Sequence, residues 1–317
     1  MRRATMLARR LLELGSPPLY IHFAHKPGTI GRFAARIAGV QYALSCHAKD
    51  IWATPPEELR RKLRDAEVVM TCTRAGHVEL ERLAAGATPV RLAYHGVDVS
   101  SAAARLQMSG PPRILSVGRL VAKKGYDIVI HAAGLLRDRG VEFTLRIAGE
   151  GVEWPRLQRL VHTLDLAGHV TFLGPLSPRE LAAEWGSASA FAIGCRQLEN
   201  GDRDGLPNVV MEAMVQGLPI VATTQAGITE AIEHECTGLL VSPEDPATLA
   251  DALAQVLSDH ELAARLGEAA RAAVRERFDH RLLLPAVSAA LADAGMIPAP
   301  RPVPPRAGAA MPALEVA

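Results

Sequence analysis

Short apolar, β-branched runs alternate strictly with longer helical patterns, and this alternation narrows the possible folds more than any other feature of the chain. In the first 96 residues the runs are LYIHFA, QYALSC, EVVMTC and VRLAYHG, with helical spacing over 30–38 and 74–85. The alternation resumes after SGPP at 109–112, where RILSVG, FTLRIAG, VTFLG, FAIG and PIVAT each lead into a helical segment, GITEAIEHE being the last of these. Strand and helix in regular succession predict parallel strands joined by right-handed crossovers, with helices on both faces of each sheet. The expected class is α/β in two layered units, and 317 residues at 49% hydrophobic suffice for two cores.

MSGPP at 108–112 loses periodicity and concentrates turn formers, which marks a linker. We therefore expect a first domain over 1–108, a linker at 109–112, a second domain over 113–278 and a closing helix at 279–295. Further helices are expected at 246–258 and 260–276. The Pro- and Ala-rich tail, 296–317, has little to bury and is expected to be disordered. At the other end, Leu7, Leu11 and Leu12 recur at helical spacing but are interrupted by Arg9, Arg10 and Glu13, so this is an amphipathic surface helix without a signal-peptide core. No apolar run reaches the eighteen residues that a membrane span would need.

Charge excludes one class of partner. With 35 basic and 34 acidic residues the net charge is +1, so no global field favours nucleic acid and any anion site must be local. Cys46, Cys72, Cys195 and Cys236 form no C-x-x-C, which suits reduced thiols in a cytosol and offers no zinc or disulfide framework. They read as small buried hydrophobes.

In doubly wound sheets ligands sit beyond the carboxyl ends of the strands, so those loops are the places to search. After RILSV comes GRLVAKKG, in which Gly118 allows close approach to the backbone while Arg119 and Lys124 place two cations at the mouth of the sheet. Two such cations suit a diphosphate, Arg by a forked pair of hydrogen bonds and Lys as a compact charge, although a solvated basic loop has the same composition. LRIAGEG, with Gly149 and Gly151, is a tight strand-to-helix turn, and the absence of G-x-G-x-x-G argues against a dinucleotide enzyme.

The third loop, DRDGLPNVVMEAMVQGLPIVAT at 202–223, sets Asp204 eight positions before Glu212. Asn208 reads as a helix N-cap after Pro207, and Gly217 with Pro219 as the stop, giving a helix over about 209–216. Free N–H groups at Gly205, Leu206 and the first helical turn would then make an anion site. The helix dipole alone accounts for one acid before a helix, but not for Glu212 about a turn inside it.

Taken together, YHGVD at 94–98, SVGRLVAKKG at 116–125, RIAGEG at 146–151, FLG at 172–174 and an acid-x7-Glu through DGLPNVVMEAMVQGLPIVAT resemble family 4 glycosyltransferases of the GT-B fold. The resemblance covers about 18–285, and its second half is close to enzymes that build bacterial exopolysaccharides such as colanic acid. It implies two facing Rossmann-like domains, the second binding a nucleotide-sugar, and a retaining hexosyl transfer to a glycan or lipid-linked acceptor. By position, the family's diphosphate-binding pair falls on Arg119 and Lys124, its sugar-contacting acid on Asp204 and its ribose-binding acid on Glu212. The turn Gly205-Leu206-Pro207-Asn208 would hold the phosphates. SCHAKDIW at 45–52 resembles the family's T-x-H-x-x-D segment, which puts His47 beside the transferred sugar; His22 and His25 have weaker claims. Asp204 stands where the family more often has Glu.

Such an enzyme would be cytoplasmic, with room for peripheral association at the inner face of the membrane, and would need no metal or other cofactor. Related enzymes begin with a further stretch that supplies a first strand and a glycine-rich loop, so the first domain here is expected to be shortened, as a fragment, through a misassigned start, or with a rebuilt acceptor side. Three rivals stay open. Asp202 to Asp204 spell the D-x-D of metal-dependent transferases, although Arg119 and Lys124 would make the metal redundant. Fold alone does not exclude an epimerase or phosphorylase. A catalytically weak donor-binding subunit that needs a partner would also fit a short first domain.

Overall fold

The structure is a computed structural model and describes residues 1–104, 106, 109–225 and 227–299. The first part contains α1 (Arg2–Glu13), β1 (Leu19–His22), α2 (Lys26–Ala38), β2 (Tyr42–Cys46), α3 (Ala48–Trp52), α4 (Pro56–Arg64), β3 (Val69–Thr71), α5 (Arg74–Ala84) and β4 (Val90–Leu92). The second contains β5 (Arg113–Val117), α6 (Tyr126–Asp138), β6 (Thr144–Ala148), α7 (Trp154–Thr163), β7 (Val170–Gly174), α8 (Pro178–Ser187), β8 (Ala190–Ile193), α9 (Asn208–Gln216), β9 (Ile220–Thr223) and β10 (Leu239–Val241). Helices α10 (Pro246–Ser258), α11 (His260–Arg277) and α12 (His280–Asp293) follow. The fold is α/β with two parallel sheets, as the alternation predicts.

The first sheet has the order β1-β2-β3-β4. Right-handed crossovers that always step the same way put their helices on one face, so the helix expected on the other face has to come from elsewhere in the chain. Tyr42, Leu44 and Cys46 turn towards Leu59, Leu63 and Leu80 on the helical side. Ala43 and Met70 turn the other way and are covered by α12, through Ala290, Val287 and Leu291. The last helix of the chain therefore closes the first domain. Met296 joins the same cluster, so the tail expected from 296 begins with a buried residue; from 300 onward it lies outside the described residues, as does Met108 of the linker.

The second sheet has the order β10-β9-β8-β5-β6-β7. The chain runs outward from β5 to β7, returns to place β8 beside β5, and then runs outward on the other side. This reversal makes β5/β8 the topological switch point, where a crevice opens beyond the strand ends. Here both faces do carry a core, one gathering Ile130, Leu145 and Leu253 and the other Leu115, Phe191 and Met214. GITEAIEHE forms only a 3-10 turn, Ile228–Glu230, because the following chain is drawn into β10. Cysteine burial is also uneven: Cys46, Cys72 and Cys195 are buried, whereas Cys236 is exposed. No described helix is long and apolar enough to cross a membrane.

Candidate active site

The carboxyl ends of the two sheets face a common cleft of about 700 Å3. From the second sheet it is lined by Arg119, Lys123, Asp202, Asp204, Gly205, Leu206 and Asn208, and from the first by Phe23, His25, His47, Cys72 and His95. Six of the expected site residues therefore meet in one place: Arg119, Asp204, Gly205, Leu206, Asn208 and His47. Gly118, Lys124, Pro207 and Glu212 lie outside the lining.

Close backbone packing positions the second-sheet loops. Gly125 has φ +62°, and a Cβ on it would lie 1.8 Å from the Gly194 carbonyl oxygen, so the loops after β5 and β8 touch at two glycines. Lys124, one residue earlier, is thereby brought against the β8 loop. Its Nζ lies 2.6 Å from Asp204 Oδ2, while Lys123 Nζ lies 3.3 Å from Asp204 Oδ1 and 3.0 Å from Asp202 Oδ1. The Lys124 side chain is only 9% exposed, so it is a buried ion-pair partner rather than an exposed crevice cation. Burial opposes charge on Asp204, but the ammonium groups of Lys124 and Lys123 outweigh it and hold the carboxyl below its ordinary range. Both carboxylates of the D-x-D triplet already have lysine partners.

Arg119 is exposed on the cleft wall, and its side chain has no ion-pair or hydrogen-bond partner among the described residues. Gly118, at φ +146°, serves packing: a Cβ there would meet the Tyr126 hydroxyl at 3.0 Å. Helix α9 starts one residue earlier than expected. Pro207 occupies the N-cap position without a side-chain cap, and Asn208 is the first helical residue. Asn208 instead bonds His95 across the cleft. The backbone N–H groups of Gly205, Leu206, Asn208 and Val209 donate to no backbone acceptor among the described residues, leaving the positive end of the helix open. Glu212, a turn further in, is half-buried with no side-chain partner among the described residues, and desolvation raises its pKa.

In the first domain, β2 and β3 end side by side, with Cys46 opposite Thr71, and β3 and β4 end with Thr71 opposite Leu92. The next residues of β2 and β3, His47 and Cys72, thus emerge together, and His95 follows from β4. His47 Nδ1 lies 3.9 Å from Cys72 Sγ, its Nε2 lies 3.2 Å from Ser45 Oγ, and its ring centroid is 5.1 Å from that of His95. Burial, aided by neighbouring His95, lowers the His47 pKa to about 4, so the ring is neutral near pH 7. His25 is committed elsewhere, with Nδ1 2.6 Å from the fully buried Asp50. His22 stacks on His47 at 6.2 Å.

Contacts across the cleft help to hold the domains face to face, beside the backbone pairing of Val97 with Phe278 and His280. The Arg203 guanidinium lies 3.8 Å over the Trp52 ring. The Glu230 carboxylate accepts from the Arg74 N–H at 2.7 Å, the Ala75 N–H at 3.3 Å and the Tyr94 hydroxyl at 2.7 Å, so an acid of the second domain caps α5 of the first. Sequence reasoning missed Cys72, His95, Lys123 and Glu230. YHGVD was noticed, but nothing in its spacing says that His95 meets a cysteine 23 positions earlier.

The chain matches the family model described as glycosyl transferases group 1 over residues 102–273. It is 31% identical over 253 residues to a Mycobacterium tuberculosis GDP-mannose-dependent alpha-(1-6)-phosphatidylinositol monomannoside mannosyltransferase, covering 75% of this chain and 66% of the relative. It is 28% identical over 261 residues to an Escherichia coli protein named for colanic acid biosynthesis, the glycosyltransferase WcaL, covering 81% of this chain and 63% of the relative. The chain thus spans about two thirds of the length of these curated relatives. Among solved structures, Anabaena HepE in complex with UDP-glucose superimposes with TM-score 0.78 at 20% identity, over 91% of this chain and 82% of that one, which shows a shared fold.

Proposed function

The chain belongs to the glycosyl transferases group 1 family, and from that premise we propose that it moves a hexose from a nucleotide-diphosphate sugar to a hydroxyl of a glycan or lipid-linked acceptor, with retention at the anomeric carbon. The observation that carries this reading is the pairing of an unpartnered Arg119 with the open N-terminus of α9 on one wall of the cleft. A free guanidinium and free backbone N–H groups together suit a diphosphate. The charge that grows on the departing diphosphate would be stabilised by the same donors, with no metal required. Lys124 would join them once its pair with Asp204 opens. Glu212 would take the ribose hydroxyls, Asp204 would turn to the sugar, and His47 would face that sugar from the other domain.

An acceptor would enter from the first-domain side, where a second cavity of about 390 Å3 continues past His95 between Tyr20, Met70, Tyr94, Leu283 and Val287. Its mixed lining, with Met70, Leu283 and Val287 beside His22, Ser45 and His280, would suit an acceptor that presents both apolar and hydroxyl-bearing faces. The M. tuberculosis relative is named for GDP-mannose and HepE was determined with UDP-glucose, so the nucleotide has to be found by measurement. Thermal melting of the full chain with UDP-, GDP-, ADP- and dTDP-sugars tests the proposal. The true donor at 100 times its Kd should stabilise by about 2.7 kcal/mol, and no shift with any of them would overturn it.

A further inference from the structure

We propose that His47, Cys72 and His95 form a three-ligand site for a borderline-soft divalent metal ion, zinc by preference, with its fourth position open to the cleft. His47 and Cys72 are the first residues beyond the adjacent parallel strands β2 and β3, and His95 lies three residues beyond the neighbouring β4, so the sheet brings them to one end. Their ligand atoms all lie within 4.8 Å of one another. Tetrahedral zinc, with bonds of about 2.0–2.1 Å to nitrogen and about 2.3 Å to sulfur, requires a nitrogen–sulfur separation of about 3.6 Å. The observed separation between His47 Nδ1 and Cys72 Sγ is 3.9 Å, so a few tenths of an ångström of side-chain rotation would bring that pair to bonding geometry, and His95, within 4.8 Å of both, would turn in to join them.

The surroundings favour a cation. His47 Nε2 faces the Ser45 hydroxyl, which fixes the ring so that Nδ1 points to the site, as the outer partners of metal-bound imidazoles do. The charged groups that act on Cys72 are the carboxylates Glu230 and Asp50. Two imidazoles and a thiol select zinc-like ions over magnesium or manganese, which prefer oxygen donors. On binding, a sulfur–metal bond forms and the thiol proton leaves to solvent, with no change of oxidation state. All three residues line the cleft, so an ion from solvent can reach them.

If the donor lies where proposed above, zinc here would sit against the His47 face and slow transfer. That consequence rests on the proposed function, while the binding itself does not.

The test titrates the metal-stripped full chain with cobalt(II) and then displaces the cobalt with zinc(II). One cobalt per chain should give a saturating thiolate-to-cobalt charge-transfer band, lost on zinc addition. Cys72→Ser should abolish the band, and Cys236→Ser should leave it unchanged. Ser45→Ala should weaken zinc binding by about 10–100-fold, and His95→Ala by at least as much. Circular dichroism checks folding. If Cys72→Ser does not fold, unchanged zinc affinity in His95→Ala decides against the site. Absence of a saturating band in the wild type, its persistence in Cys72→Ser or its loss in Cys236→Ser would each overturn the proposal. A normal band without inhibition would leave the metal site standing and count against the donor placement.

Discussion

Lys124 Nζ lies 2.6 Å from Asp204 Oδ2, so a cation and an acid proposed for opposite ends of one donor hold each other across the switch point. The pair is almost buried, with side chains 9% and 13% exposed. It offsets the charge of Lys124, leaving Arg119 as the unpaired cation of this wall, and an arriving diphosphate would exchange one carboxylate for another anion around Lys124.

Breaking this pair should cost stability. Asp204→Asn is expected to lower unfolding free energy at pH 7 by about 1.5–3 kcal/mol, the worth of a hydrogen bond to a charged group. The folded pKa of Asp204 lies below its unfolded value of 3.8. Its contribution is therefore present above 3.8 and lost as pH falls through the folded pKa, so the variant and wild type should converge in acid. Urea unfolding at several pH values measures this. The same variant should keep its affinity for a free nucleoside diphosphate and lose affinity for the nucleotide-sugar.

Arg119→Ala should behave in the opposite way. The side chain is exposed and unpartnered, so stability should change by less than about 0.5 kcal/mol. Nucleoside-diphosphate binding by calorimetry should weaken by about tenfold or more, the equivalent of about 1.4 kcal/mol. Unchanged affinity for every nucleoside diphosphate would remove Arg119 from the site.

Glu212→Gln should be stabilising or neutral while weakening both nucleotide and donor. A half-buried carboxylate without a side-chain partner among the described residues is a cost to the fold, which the proposed ribose contact would explain. Because desolvation raises its pKa, its charged form opposes folding, and this penalty grows as pH rises through the folded pKa. The melting-temperature advantage of the variant should therefore widen from pH 4 to pH 7, as read by scanning calorimetry.

Glu230→Ala removes the acceptor that joins α5 and Tyr94 to the second domain. We expect a larger radius of gyration in small-angle scattering and a fall in kcat that exceeds any change in donor affinity, since alignment of the two substrates depends on the facing domains. An unchanged scattering profile would show that the remaining contacts, among them Arg203 over Trp52 and α12 on the first sheet, hold the domains without Glu230.

Treatment with EDTA should leave transfer undiminished, because Lys123 and Lys124 already neutralise Asp202 and Asp204. Loss of activity restored by manganese would return the D-x-D triplet to consideration.

Much of the architecture could be read in the linear order of residues, because strand and helix periodicities are local and alternate along the chain. The two parallel sheets and the loops that carry Arg119, Asp204 and the start of α9 follow from patterns a few residues long. Local pattern failed where a distant segment decided the outcome. GITEAIEHE has helical spacing, yet the pull of β10 onto β9 leaves it one 3-10 turn. Asn208 has N-cap chemistry, yet His95 on the other domain takes its side chain.

By itself, then, the sequence determined the fold class and pointed to the loops proposed above to carry the chemistry, since both depend on periodicity and on residue type at strand ends. The tertiary structure alone decided which charges are free. Arg119 and Lys124 are five positions apart and look equivalent, but the contact of Gly125 with Gly194 buries one against Asp204 and leaves the other in the cleft. It also decided that α12 covers the first sheet and that His47, Cys72 and His95 meet. These are contacts between residues far apart in the chain, set by strand order and loop packing, and no short-range pattern encodes them.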